Sequence, residues 1–399
     1  MSEYAKIIKD CEKEWACPEL MESVNKTGGR KIPFSSPSLN YITYGGIPRA
    51  AVTEFYGVPG GGKSTSAMDI CKNALDIFNK EYEDEIAEIQ AKIANGKKEY
   101  KSNLSDLMDR GPKKILYIDL EHSFNKKWAA TLGITNKAIE IMQPPDIPAE
   151  KILQKVEELI CTGEVGLLVL DSIPSLVTAA ELEKKYGERT VAPLAGLLTL
   201  FCRKITQLLL RYDCTLLLIN QLRVNMNNPY VDSTPGGEAI KFYCSLIMCF
   251  RLGSPVDFLG NELPQKSENP SGYLINVKLI KQKSAPFDRK LGQYYLMSQS
   301  GLRIDFEFAN LAIKQYNIIR KGGAWFTICD PETGEPLEVD ETIVKINGLA
   351  KVYDYLQSHP EYYEKLCNFI IEDINHNGLN IEEESSATGD LPDYDSIGN

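Results

Sequence analysis

Histidine is almost missing from this sequence: His122, His359 and His376 are the only three among 399 residues. Ten cysteines are scattered along the chain, with no CxxC pair and no Cys/His group at zinc spacing. A zinc module is thereby excluded, and the thiols read as the reduced, buried kind expected of a cytosolic protein. No apolar run approaches the ~18 residues that span a bilayer. The N-terminus, MSEYAKIIKDCEKEW, is charged and helical where a secretory signal would be apolar. The expectation is a soluble, cytoplasmic protein with no membrane partner. Lys and Arg are absent from residues 371–399, which hold eight Asp/Glu. Of the net charge 44 − 55 = −11, the tail therefore carries −8 and the body −3. An acidic total of this kind leaves nucleic-acid binding by a local basic surface open.

What is present is an alternation of strands and helices. AVTEFYG, KILYIDLE (114–121), GLLVLDSIPSL (166–176) and CTLLLINQL (214–222) are short apolar runs that end in polar residues, as strands buried on both faces of a parallel sheet do. Helical patterns at 64–78, 149–161 and 193–212 separate them, which predicts a wound α/β domain. Residues 79–112 interrupt the alternation with two helical stripes, Ile86/Ile89/Ile93 and Leu104/Leu107/Met108, broken at Gly96. They predict a solvated helical hairpin inserted in the core. Beyond residue 273 the segments read as mainly antiparallel edge strands, followed by a small module and then a tail expected to be disordered.

Gly57-x-x-x-x-Gly62-Lys63-Ser64 is a phosphate-binding loop placed between a strand and a helix. Glycines let backbone N–H groups turn inward around phosphates, and the helix N-terminus behind them adds positive potential. The residues expected to hold the nucleotide are Gly57, Val58, Pro59, Gly60, Gly61, Gly62, Lys63, Ser64 and Thr65. Lys63 is expected to reach the β/γ phosphates and Ser64 to complete a Mg²⁺ shell. A carboxylate must orient that ion, and Asp171 stands at the end of a buried strand; a helix-capping role is its alternative. A further carboxylate must orient the attacking water. Glu121 and Asp119 compete for this, with Glu121 favoured because it lies at the mouth of the sheet, where ligands bind.

These pieces occur in one order: GVPGGGKST, YIDLEHSF, LLVLDSIPSL, AAELEKKYG, LLINQLRVN, STPGGEAIKFY, KLIKQKSAPF, KGGAWF. In that order they resemble the RecA family in its bacterial and phage-encoded forms, from about residue 35 to 370 apart from the 79–112 insertion. The resemblance implies a RecA-type P-loop ATPase core (35–305), mainly parallel, behind an N-terminal helix and linker (1–34). A small C-terminal α/β module (306–373) and an acidic tail (374–399) follow. It implies ATP and Mg²⁺ as cofactors, and a filament of the chain on single-stranded DNA that pairs with homologous duplex DNA and exchanges strands. Glu121 matches the family's catalytic glutamate. Gln221 matches a glutamine that senses the γ-phosphate. Lys281 and Lys283 match lysines that reach the ATP of the neighbouring subunit. The family's adenine-contacting Asp and Tyr fall here on Asn125 and Trp128.

On the DNA side the resemblance points to two loops, about 183–196 and 223–237. Arg189, Arg203, Arg223, Asn225 and the amides of Gly236 and Gly237 are the expected phosphate contacts; Val191 and Met226 take positions where the family inserts apolar side chains between base triplets. Two departures stand out. The second loop is about two residues shorter than the family pattern, and a DNA-gripping arginine of the family falls on Gly196. The acidic tail resembles one that competes with DNA for basic residues, a solubility role being its alternative. Two rival functions are a RecA-fold ring motor or regulatory ATPase acting on DNA, which an arginine finger in place of Lys-x-Lys would favour, and a non-enzymatic paralogue, against which Lys63, Asp171 and Glu121 argue.

Overall fold

In a computed structural model of the chain, the described residues are 29–97, 99–134, 139–185, 193–224, 232–237 and 239–379. A nine-stranded sheet organises them. Its strands in chain order are β1 (Val52–Gly57), β2 (Lys114–Asp119), β3 (Glu140–Met142), β4 (Val165–Asp171), β5 (Thr215–Gln221), β6 (Leu246–Val256), β7 (Gly272–Gln282), β8 (Leu291–Met297) and β9 (Gly301–Leu302). The spatial order is β9-β8-β7-β6-β1-β5-β4-β2-β3. β6, β1, β5, β4, β2 and β3 run parallel, and β7, β8 and β9 extend the sheet as an antiparallel flank. The fold is thus the mainly parallel α/β class that the strand pattern predicts.

Alternation along the strands explains the two cores. In β4, Leu167 and Val169 point to one face while Leu168 and Leu170 point to the other, and every residue of the strand is buried. β5 repeats this with Leu217 and Ile219 against Leu216 and Leu218. Each such side chain removed from water contributes about 1.5–3 kcal/mol, so these strands hold their register firmly. One face is covered by α1 (Pro37–Thr43) and α2 (Lys63–Ala94), the other by α5 (Ala149–Cys161) and α6 (Pro193–Tyr212).

α2 differs from the expected helix ending near residue 78. It runs on unbroken for 32 residues, roughly 48 Å. Its first half buries Ala67, Ile70, Cys71, Ala74 and Phe78 under the sheet. From residue 79 onward none of its side chains is buried, and α3 (Tyr100–Arg110) folds back along it through the buried Leu107. The first arm of the hairpin is therefore the phosphate-loop helix itself, continued into solvent; no breaker stands between residues 79 and 94 to stop it. An ionic cluster fixes its root: Arg49 bonds Glu81 at 2.5 Å and Asp213 at 2.8 Å, and Arg30 bonds the same two acids at 3.1 Å each.

α6 is the described helix long and apolar enough to cross a membrane, by length and composition. Leu198, Phe201, Cys202, Ile205 and Leu209 of α6 are buried in the second core, while Arg203 and Lys204 face outward. Such one-sided burial marks a core helix.

The C-terminal module begins with α8 (Ile304–Lys314), so the expected boundary at 305/306 falls inside a helix. Strands Ile319–Gly322, Trp325–Ile328 and Lys345–Asn347 form an antiparallel sheet, joined by α9 (Leu349–Ser358) and α10 (Pro360–Leu379). Phe306, Ile319, Val352 and Leu366 share one core with Leu274, Tyr295 and Met297 of the antiparallel flank, so the module is welded to that side. α10 runs to Leu379, past the expected start of the tail at 374. The expected N-terminal helix and tail residues 380–399 lie outside the described residues.

Candidate nucleotide site

Strand register lines up the predicted polar residues at one edge of the sheet. Gly57 sits opposite Gln221, and Asp119 opposite Asp171. This is the carboxyl edge of the parallel strands, where α/β sheets bind ligands. The loop 58–62 turns there from β1 into α2, whose N-cap Gly62 has φ +86° and no side-chain cap. The first-turn N–H groups of α2 therefore point to the site without an internal partner, which suits an anion. Gly57 is needed for another reason: a Cβ there would lie 1.9 Å from the Phe250 carbonyl oxygen on β6.

Lys63 donates to the carbonyls of Gly57 at 3.2 Å and Val58 at 2.8 Å, so its ammonium lies within the loop. Burial lowers its pKa, against the opposing pull of Asp171 and Glu121. Ser64 donates to Asp171 Oδ2 at 2.8 Å, and Tyr117 donates to the same oxygen at 2.5 Å. Burial raises the Asp171 pKa, and these two hydrogen bonds offset part of the rise. A hydroxyl and a carboxylate oxygen side by side are hard oxygen donors, and they fit Mg²⁺.

Glu121 Oε1 accepts hydrogen bonds from Ser172 Oγ and, at 2.9 Å, from Gln221 Nε2. Asp119 is committed elsewhere. It is 1% exposed, and its Oδ2 accepts from the Phe124 N–H at 2.9 Å and Gln143 Nε2 at 2.8 Å. Asp119 thus clamps the turn after β2, whereas Glu121 remains exposed beside Gln221. Where adenine is expected, Asn125 Oδ1 caps α4 (Lys126–Thr131) by accepting the Trp128 N–H at 3.1 Å. The Trp128 indole N–H in turn donates to Thr65 Oγ1 at 3.1 Å.

Lys281 and Lys283 are not part of this cluster. Gln282 between them pairs with Leu246, which pairs with Thr53, four residues before Gly57; at 3.3 Å per residue that is roughly 13 Å back from the loop. Both lysines lie at the amino edge, beside α7 (Ala239–Tyr243), and donate to the Phe242 carbonyl at 3.1 Å each. Lys281 also donates to the Lys241 carbonyl. Phe242 itself is 75% exposed.

Of the predicted DNA contacts, Arg189, Val191, Asn225 and Met226 lie outside the described residues. Arg203 and Arg223 are exposed. Gly236 and Gly237 have φ +92° and +80°, left-handed values that aim consecutive amides to one side of a turn. Asn220 ties that turn to the nucleotide edge: its Nδ2 donates to the Pro235 carbonyl at 3.0 Å and to Glu54 Oε1 at 2.8 Å. Neither Asn220 nor Tyr117 stands out in the sequence, because each reads there as an ordinary member of a buried strand.

A family profile described as the RecA N-terminal domain matches residues 82–302. Among curated relatives, Protein RecA of Aquifex aeolicus is 29% identical over 92% of this chain and 91% of its own length. Protein RecA of Bacteroides thetaiotaomicron is 30% identical over 86% of this chain and 88% of its own. Among solved structures, that of the RadB recombinase is similar, with 15% identity, a TM-score of 0.42, and coverage of 66% of this chain and 95% of that one.

Proposed function

Because the chain belongs to the RecA family, we infer that its nucleotide edge drives a DNA recombinase whose ATP is completed by a second subunit. The protein is a RecA-like, DNA-dependent ATPase that uses ATP. The finer reading is a cytoplasmic helical filament on single-stranded DNA, which pairs that strand with homologous duplex and exchanges strands.

The placement of the lysines carries this reading. Lys63, Ser64, Asp171, Glu121 and Gln221 gather at the carboxyl edge, while Lys281 and Lys283 lie at the opposite edge of the same sheet. The lysines are out of reach of their own chain's loop, and a head-to-tail stack would bring them to the loop of the next subunit. There they would neutralise charge on the phosphates much as an arginine finger does.

Residues of this chain take the following parts. Amides of the loop and Lys63 bind the phosphates. Ser64 and Asp171 would hold Mg²⁺, which when bound supplies positive charge against the β and γ oxygens. Glu121 orients the attacking water and accepts its proton. Trp128 stacks on the base, and the amide of Asn125 reaches its exocyclic amine. Gln221 now bonds Glu121; a γ-phosphate would compete for its amide, and the change would pass through Asn220 to the 234–237 turn. There Arg223 and the amides of Gly236 and Gly237 meet DNA phosphate without reading sequence. Arg189, Arg203 and Asn225 add phosphate contacts, and Val191 and Met226 separate the base triplets. DNA affinity thus follows nucleotide state.

The test is ATP hydrolysis by wild type and Lys283→Ala, each with and without single-stranded DNA, with electron microscopy in parallel. DNA-stimulated turnover that the substitution abolishes, in samples showing helical filaments, is the expected result. DNA-independent turnover untouched by the substitution, or closed rings, would overturn the reading.

A further inference from the structure

Tyr294 on β8 is a fully buried phenol in the apolar core between α2 and the sheet, surrounded by such residues as Ile275, Ala67 and Phe250. A phenylalanine would fill the same volume without the cost of burying a hydroxyl, so the partners of that hydroxyl identify its use. All of them belong to the phosphate loop and the first turn of its helix. The hydroxyl bonds Ser66 Oγ at 3.0 Å and donates to the Gly62 carbonyl at 3.3 Å. With one proton on each oxygen, a consistent arrangement has Ser66 donating to Tyr294 and Tyr294 donating to Gly62. The contact is close: a Cβ on Gly62 would lie 2.2 Å from the phenol oxygen.

We propose that Tyr294, with Ser66, is a positioning residue for nucleotide binding, holding the Gly62–Lys63 peptide so that its N–H faces the phosphates. The proposal rests on the nucleotide-site reading above. The Gly62 carbonyl and the Lys63 N–H belong to one planar peptide unit, so an anchor on the oxygen orients the N–H on the other side. That N–H opens the α2 N-terminus, where the helix field is strongest. The anchor comes from the antiparallel flank, three strands away from β1, so the loop is braced from outside the parallel strands whose ends gather the rest of its own chain's site. Burial holds the Tyr294 pKa above its ordinary value, which keeps the phenol proton in place for donation.

The test combines Tyr294→Phe, Ser66→Ala and the double variant, measured by direct binding of a fluorescent ADP analogue, by KM and kcat for ATP, and by thermal melting. Loss of one buried hydrogen bond corresponds to roughly a 3- to 10-fold loss of affinity. The expected result is a rise of that size in Kd and KM for each single variant, with kcat nearly unchanged and the double variant no worse than the singles. Tyr295→Phe is the neighbouring control, since that hydroxyl accepts from Asn310 Nδ2 at 3.0 Å in the C-terminal module; it leaves KM where it was. Unchanged Kd and KM in Tyr294→Phe and Ser66→Ala, even with a lowered melting temperature, would make the pair structural only. Failure of the wild type itself to bind the ADP analogue would instead overturn the nucleotide-site reading on which the proposal stands.

Discussion

The two edges of the parallel sheet are built on opposite plans. At the carboxyl edge, polar groups are joined to one another in a chain that runs Ser64, Asp171 and Tyr117 on one side and Ser172, Glu121 and Gln221 on the other. The links come from β2, β4 and β5 with the residues just after them and from the first turn of α2, and one chain supplies them all. At the amino edge, Lys281 and Lys283 are held by backbone carbonyls of α7. An ammonium on carbonyl partners keeps its charge for something that arrives later. One edge is thus complete within the chain, and on the proposed reading the other serves a neighbour.

Mixing subunits gives the hardest test of that contrast. Lys63→Ala and Lys283→Ala are each expected to lose DNA-stimulated hydrolysis. A one-to-one mixture should recover part of it, because roughly a quarter of head-to-tail contacts would join an intact loop to an intact lysine. A mixture as inactive as its components would mean that both residues serve the same chain. Next in size is Glu121→Gln. Removal of the proton acceptor should slow hydrolysis about 100-fold or more while nucleotide affinity stays close to wild type, as single-turnover and binding assays would show. If binding falls as far as turnover, Glu121 belongs to the binding apparatus instead.

The amino edge also contains a half-buried lysine whose pH response is distinct. Burial lowers the Lys31 pKa from 10.5 to about 8, and its ammonium donates to the Thr43 and Tyr44 carbonyls at 2.6 and 2.9 Å. A depressed folded value means that the unfolded chain binds more protons between pH 8 and 10.5, so this residue makes stability rise with pH across that window. Urea midpoints for Lys31→Met should lack this rise relative to wild type; parallel curves would show that Lys31 does not titrate in the fold. The smallest expected effect is at the adenine end. Trp128→Phe keeps a ring but loses the bond to Thr65, and should raise the KM for ATP about 2- to 5-fold.

Much of this was legible in the residues. The parallel strands show because buried strands need runs such as LLVLD and LLLIN. α5 and α6 begin and end where the apolar spacing places them. The polar residue that ends each run becomes a candidate site residue, because an edge is where a buried strand first meets solvent. The choice between Glu121 and Asp119 was less legible. Both stand on the same segment, and what separates them is that the Phe124 amide and Gln143 take up Asp119. The unbroken α2 was missed because the change at residue 79 from a buried to a solvated face looks, in one dimension, like the end of a helix.

By itself the sequence determined the fold class, the phosphate loop and the family. These follow from local rules: strand and helix periodicities, and glycines where a backbone must turn around an anion. Only the tertiary structure decided which hydroxyls act on the site. Tyr117 and Tyr294 are core aromatics by pattern, yet one donates to Asp171 and the other to Gly62. A phenol's volume can be read from its position in a strand, but its hydrogen-bond partner depends on which segment packs against it, and here those segments lie 54 and 232 residues away.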